Sequence, residues 1–304
     1  MIASIGELLV EFISDAKDLH HLTPTAYHGP YPSGAPGIFI DQAARIAGRA
    51  LFAGAVGDDA FGQVILNRLR ANGVSDALIN IIPGVPTGTA HVAYNSDGSR
   101  EFVFNISGSA ASHLPDATDT MLRAGVTLLH ISGSTLGDPG MRATALGLCQ
   151  TLQAQGVALS IDPNIRPELM RDKGYLQAVR SIMAMASYVL PSDADAAQLW
   201  PGQDIADWDL PMAKAVVLKR GAQGCVGLRQ TRIELAAHPV AVVDPTGAGD
   251  CFCATFVALM QAGHDLGTAL RHANAAGALA VSKLGPMEGN SNMAALDAFL
   301  AGVP

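Results

Sequence analysis

Val242-Val243-Asp244-Pro245-Thr246-Gly247-Ala248-Gly249-Asp250-Cys251-Phe252 is the stretch on which the reading of this chain turns. An extended run ends at an acid, a turn of small residues follows, and an apolar segment of helical period begins near Asp250. This is the pattern of a strand-to-helix junction. The amides of Gly247, Ala248 and Gly249 then lie at a helix amino terminus, without intrahelical acceptors and where the macrodipole favours negative charge. Glycine lets a phosphoryl group approach the backbone. The plainer alternative is that Thr246 or Asp250 simply caps the helix. Two carboxylates bracketing the small residues favour the anion-site reading.

Working outward, short apolar runs alternate with longer helical segments. Ile2 to Val10, Ala50 to Val56, Thr127 to Ile131, Val157 to Asp162, Tyr188 to Leu190 and Ala215 to Leu218 read as strands. Helices are expected over Phe61 to Ala71, Pro139 to Gln155, Pro167 to Ala186, Asp250 to Ala262, Leu266 to Leu284 and Met293 to Leu300. The rhythm predicts an α/β fold with a doubly wound, mostly parallel sheet. Residues 78–107 break it: His91 to Asn95 and Arg100 to Asn105 alternate around Ser96-Asp97-Gly98-Ser99, as a β-hairpin does. Residues 11–31 are also irregular. Both segments are expected to form a small lid on one domain that covers residues 1–304, and a sheet this small must cover a cleft, another subunit, or both.

The chain has 304 residues, 49% of them hydrophobic, and a net charge of −8. A large core is available, while the acidic balance argues against nucleic acid or anionic membrane as a partner. No apolar stretch is long enough to span a bilayer, and no basic leader precedes the first strand. The four cysteines form no C-x-x-C pair and suit a reducing cytoplasm. There is no Walker lysine motif, complete G-x-G-x-x-G, G-x-S-x-G or H-E-x-x-H, and no zinc site is expected.

The string from Asp244 to Asp250 resembles the carboxyl-terminal signature of the PfkB, or ribokinase-like, carbohydrate kinases. Gly54-Ala55-Val56-Gly57-Asp58-Asp59-Ala60-Phe61-Gly62 is similar to their upstream glycine motif, and the resemblance covers essentially the whole chain. It implies a three-layer α/β/α core with a small β-sheet lid. It assigns Asp250 as the general base that takes the proton from a sugar hydroxyl attacking the γ-phosphoryl group of ATP, with Gly247, Ala248 and Gly249 as donors to the transferring group. Asp244 and Thr246 match positions that in many members help to hold a monovalent cation, so potassium is an expected activator. Lys219, Gly221 and Gly224 resemble the strand and turn beside the ribose and phosphates, Thr246 also faces them, and Asn274 matches the helix position near adenine. A strand end and a polar helix face are the plain alternatives for Lys219 and Asn274. Mg2+ is expected as the partner of the nucleotide phosphates.

The sugar end departs from the pattern. Glu11 stands where an Asp usually reaches sugar hydroxyls. Gly34 and Ala35 match the family's glycine turn, but Ile38 replaces its sugar-binding Asn, and Asp41 and Gln42 are candidates to compensate. For Asp41 the alternative is a helix first-turn acid. Ser192 and Asp195 take the place of Asn-x-x-Glu near metal and phosphates, Asp195 acting on Mg2+ through water; a plain cap pair is the other reading. Asp162-Pro163-Asn164-Ile165-Arg166 is close to a segment of the fructokinase and 2-keto-3-deoxygluconate kinase branches, where Arg166 would meet phosphate or a substrate carboxylate. His91, Tyr94, Arg100 and Phe102 are lid candidates, although alternation on a hairpin explains aromatics by itself.

The expected activity is phosphorylation of a primary hydroxyl of a small sugar or sugar acid by a homodimer joined through the lid. A nucleoside kinase of the same fold and a non-catalytic sugar- or nucleotide-binding regulator are the competing readings. The fructokinase-like segment disfavours the first, and retention of a base at Asp250 disfavours the second.

Overall fold

A computed structural model describes residues 1–302. In chain order the strands and helices are β1 (Ile2–Ile5), β2 (Leu9–Ser14), β3 (Tyr27–Ser33), α1 (Ala35–Ala47), β4 (Ala50–Gly57), α2 (Ala60–Ala71), β5 (Val74–Ile82), β6 (Gly88–Tyr94), β7 (Arg100–Asn105), α3 (Thr118–Arg123) and β8 (Leu128–Ser132). There follow α4 (Pro139–Ala154), β9 (Ala158–Asp162), α5 (Lys173–Met185), β10 (Tyr188–Val189), α6 (Asp193–Leu199), β11 (Ala215–Lys219), β12 (Cys225–Leu228), β13 (Arg232–Leu235), α7 (Ala248–Gln261), α8 (Leu266–Val281) and α9 (Met293–Ala301).

Nine strands form one sheet in the order β13-β12-β11-β10-β9-β8-β1-β4-β5. Every pairing from β5 to β11 is parallel, and only β11-β12-β13 run antiparallel. Successive core residues alternate between its faces: Ile2, Ala50 and Phe52 pack with α1, α2, α7 and α8, whereas Ala3, Leu51 and Ala53 pack with α4 and α5. Both faces are therefore buried, which is why the strands read as unbroken apolar runs. From β1 the chain goes outward to β4 and β5, then returns to the other side at β8. The crevice above the carboxyl ends of β1 and β8 is thus the switch point at which an open α/β sheet takes its ligand.

A second sheet, β3-β2-β6-β7, is the lid. Four expectations about boundaries change. No strand leads into α7: β13 ends at Leu235, and the run up to Asp244 is irregular, with Val242 and Val243 exposed because no neighbouring strand pairs with them. Ile2 to Val10 is two strands in two sheets, because Gly6 turns the chain at φ 137°, and a Cβ there would stand 2.2 Å from Thr135 Oγ1. Residues 78–82 belong not to the lid but to β5, whose pairing with β4 continues to Ile82; the lid hairpin starts at Gly88. The helix expected from Pro167 starts instead at Lys173, because the Asp172 side chain accepts from Gly174 N–H and caps it there.

The registers place Glu11, Ala90 and Phe104 in one row, Ile13, Val92 and Phe102 in the next, and Tyr94 beside Arg100. Because side chains alternate across a strand, these residues share one face of the lid. Glu11 and Tyr94 on that face bond Ser33 and Asp244, which turns it toward the crevice.

Candidate active site

Asp250 lies in the first turn of α7, behind Gly247, which is the N-cap residue at φ 82°. A Cβ on Gly247 would stand 2.4 Å from the Pro286 carbonyl oxygen, so the left-handed turn and the close approach both require glycine. Gly247 supplies no side-chain cap, and the helical ladder starts with Cys251 N–H donating to Gly247 O. The amides of Ala248 and Gly249 therefore stand ahead of the ladder, as the anion-site reading requires.

Beneath this terminus runs a buried polar chain along the carboxyl edges of four strands. The Lys219 ammonium at the end of β11 donates to Asp162 at the end of β9, and Cys253 Sγ lies 3.4 Å from Lys219 Nζ. A Cβ on Gly249 would sit 3.4 Å from that Nζ, which places the cation directly under the anion hole. Asn164 N–H donates to Asp162 Oδ1, and Asn164 Nδ2 donates to Ser132 Oγ at 3.0 Å. Ser134 Oγ and Thr135 Oγ1 both donate to the Glu7 carboxylate, at 2.6 and 2.9 Å.

Burial, then the neighbouring Asp162 charge, push the Asp250 pKa up to about 8, against the opposing pull of Lys219 and Arg166. A carboxylate so poised is a competent general base near neutral pH. Burial works against the Lys219 ammonium, yet Asp162, Cys253 and Asp195 outweigh it and hold its pKa above the ordinary value. Burial likewise raises Glu7. Among the described residues Arg166 makes no salt bridge, so its guanidinium is available to an anionic ligand.

At the sugar end Glu11 is 2% exposed, accepts from Ser33 Oγ at 3.0 Å, and leaves Oε1 buried with no partner. Burial raises its pKa to about 7, with Ser33 opposing. Gly34 is the N-cap of α1 with φ 99°, and a Cβ there would stand 2.6 Å from Glu7 O. Gly34 and Ala35 thus bring a second helix terminus against the β1-to-β2 crossing. Phe102 stacks on Phe104 with ring centroids 5.2 Å apart, under Arg100.

Several expected roles do not survive the geometry. Asp41 is fully buried and saturated by Arg45, Asn72 and Asn290, because it bolts α1 to α2 and to the 290 segment; it is not a sugar ligand. Gln42 is spent in the same way on Thr255 and Ser291. Ile38 is core, packed under Gly247 rather than facing the cleft. Ser192 and Asp195 form a reciprocal capping box, and Asp195 Oδ1 also accepts from Ile165 N–H at 2.7 Å, so neither is free for metal or phosphate. Asn274 gives its amide to Ala236 O at 3.1 Å, which fixes α8 to that segment. Gly224 is required by close approach, since a Cβ would stand 2.0 Å from Leu235 O, while Gly221 supplies the turn at φ 51°.

The two implied ions fare differently. No group of three or more His, Cys, Asp or Glu side chains among the described residues is placed to hold a metal. Asp244 is completely buried and already accepts from Thr246 N–H, Gly285 N–H and the Tyr94 hydroxyl. With both oxygens engaged it anchors the loop, and one acceptor position is left on Oδ2.

Glu7, Ser132, Ser134, Asn164 and Cys253 had no assigned role in the sequence reading. Glu7 carried a signal there, as an acid in an otherwise apolar run, and so did Asn164, as a member of the Asp162 to Arg166 segment.

The family model for "pfkB family carbohydrate kinase" matches residues 1–293. The fructokinase-1 of Oryza sativa subsp. japonica is 30% identical over 94% of this chain and 93% of its own. Among solved structures, an Escherichia coli protein provisionally named ribokinase II, in complex with ATP and Mg2+, superposes with a TM-score of 0.91 at 35% identity, covering 99% of this chain and 98% of that one. A Vibrio cholerae O395 fructokinase double mutant with fructose, ADP and potassium bound gives 0.81 at 25% identity, covering 98% and 97%. The open amino terminus of α7, the parallel sheet with its smaller second sheet, and a match over nearly the full length agree: this chain belongs to the pfkB family of carbohydrate kinases and is an ATP-dependent sugar kinase.

Proposed function

We propose that the protein phosphorylates a primary hydroxyl of a neutral ketohexose such as fructose, with ATP as donor and Mg2+ carried on its phosphates. The observation that carries this is Asp250 raised to about pH 8 at the open terminus of α7, over a buried lysine. The sugar hydroxyl enters between the lid and α7. As its oxygen bonds to the γ-phosphorus and the bond to the ADP oxygen breaks, its proton passes to a carboxylate oxygen of Asp250. The amides of Ala248 and Gly249 take the charge on the transferring oxygens, and Lys219 and Arg166 support them. Bound magnesium supplies charge neutralisation of the phosphates.

Two observations favour a neutral sugar over a sugar acid. The crevice holds Glu7, Glu11, Asp162, Asp244 and Asp250 against Lys219, Arg100 and Arg166, and Lys219 is already matched by Asp162. The fructokinases among the relatives point the same way. A coupled ADP-release screen over ketoses, aldoses and keto-deoxy acids tests this: fructose should give the highest kcat/KM, and Arg166→Ala should lower kcat for every substrate. Selective loss for a keto-deoxy acid that outperforms fructose would overturn the neutral-sugar reading.

We also propose that the protein pairs with a second copy through the lid. Strand β7 is an edge of the small sheet, with Val103 46% and Phe104 43% exposed on opposite faces. Sedimentation of the wild type should give a dimer and Phe104→Lys a monomer; a monomeric wild type at micromolar concentration would exclude the pairing. Among the described residues no helix is long and apolar enough to cross a membrane.

A further inference from the structure

The lid touches the phosphate loop through two adjacent side chains. Tyr94 ends β6 and pairs in register with Arg100, which begins β7. The Tyr94 hydroxyl donates to Asp244 Oδ1 and lies 3.3 Å from Thr246 Oγ1, while Arg100 Nη1 donates to Thr246 Oγ1 at 3.1 Å. Asp244 is the node that Tyr94 meets. Its other donors are Thr246 N–H at 2.9 Å, inside the loop, and Gly285 N–H at 3.0 Å, one residue before the Pro286 carbonyl that closes on Gly247.

Tyr94 is aimed from a fixed backbone. Its carbonyl accepts from Asp18 N–H, and the Asp18 carboxylate accepts from Ser96 N–H and Oγ, pinning the hairpin turn. Burial and the Asp244 carboxylate hold the phenol well above its ordinary pKa, so it stays a donor at any working pH. The same lid face carries Glu11, whose buried Oε1 has no partner among the described residues. The surface that would meet the sugar and the hydroxyl that meets the loop therefore move as one sheet.

We propose that Tyr94 is a positioning residue that couples closure of the lid over the sugar to the set of the anion hole at Gly247 to Gly249. This rests on the sugar-kinase reading above. A sugar that holds the lid shut keeps Tyr94 on Asp244, and Asp244 holds the loop in the conformation that receives the phosphoryl group. By linkage, sugar must then tighten nucleotide binding, and nucleotide must tighten sugar binding by the same factor. An open lid leaves the hole unset, which suppresses transfer to water.

Tyr94→Phe, in the full-length protein, removes one oxygen from a packed ring and tests this in two ways. Hydrogen exchange of the unliganded enzyme should show the amides of residues 244–250 exchanging about ten- to a hundredfold faster than in the wild type, the range set by losing one hydrogen bond to a charged acceptor. The melting temperature should change little. Turnover should fall by a similar factor, with KM for the sugar changing less than kcat. The tightening of a non-hydrolysable ATP analogue by fructose, measured by calorimetry, should disappear. Asp244→Asn, read by the same exchange measurement, covers poor expression of the first variant. Wild-type loop protection and turnover in Tyr94→Phe would overturn the proposal. Failure of the wild type to phosphorylate any sugar would sink the kinase reading instead, and the exchange measurement would still decide on the latch.

Discussion

Asp250→Asn is expected to leave a folded protein that binds ATP, melts at a higher temperature near neutral pH, and transfers phosphoryl about a hundred- to ten-thousandfold more slowly, the usual worth of a general base. Activity and stability move in opposite directions because one charge serves both. In the unfolded chain Asp250 titrates at its ordinary 3.8; in the fold, burial and Asp162 raise it to about 8. Between those values folding takes up a proton, so ionised Asp250 destabilises the native state, and the penalty grows as pH rises toward 8. The variant's gain in melting temperature should therefore shrink to nothing below about pH 4. In the wild type, kcat/KM should climb with pH up to about 8, since only the ionised carboxylate accepts the proton. Turnover in Asp250→Asn close to that of the wild type would remove this residue from the mechanism.

Lys219→Met should have the second large effect, and on stability first. Lys219 and Asp162 are 11% and 5% exposed, so deleting the ammonium strands a carboxylate in the core. Removing one partner of a buried pair costs about 3–5 kcal/mol. Adding Asp162→Asn to Lys219→Met removes the orphaned charge and should recover most of that loss in a denaturant titration, while turnover stays low because the cation under Gly249 is still missing. Additive losses in the double variant would show that the two residues are not a coupled pair.

The helix half of the reading of residues 242–252 held, because α7 starts behind Gly247 as a local signal dictates, whereas the strand expected up to Asp244 does not form and Val242 and Val243 are exposed. Which amides lead a helix, where glycine is needed and which carboxylate enters the first turn all follow from a few consecutive residues. The same holds for the α/β rhythm, since a strand buried on both faces must be apolar at every position. Boundaries were less legible wherever a distant group set them. Gly6 turns because Thr135 leaves no room for a Cβ, and β5 runs to Ile82 because β4 offers it partners that far.

Roles of polar side chains were harder still. Asp41, Ser192 and Asp195 have the residue types of ligands, but a carboxylate can bolt helices together as readily as it can bind a sugar, and the difference lies in which donors surround it. Asn72 and Asn290 around Asp41, and Ile165 beside Asp195, come from remote parts of the chain. Glu7, Asn164 and Ser132 became a continuous polar edge only when β1, β8 and β9 were laid side by side.

The sequence by itself determined what depends on neighbours along the chain: the open helix terminus at Gly247, the carboxylate in its first turn and the fold class. Only the tertiary structure decided which acids bolt the fold together, and that a tyrosine from the small sheet bonds Asp244. Those outcomes depend on hydrogen-bond partners far apart in the chain, and such partners are chosen by packing.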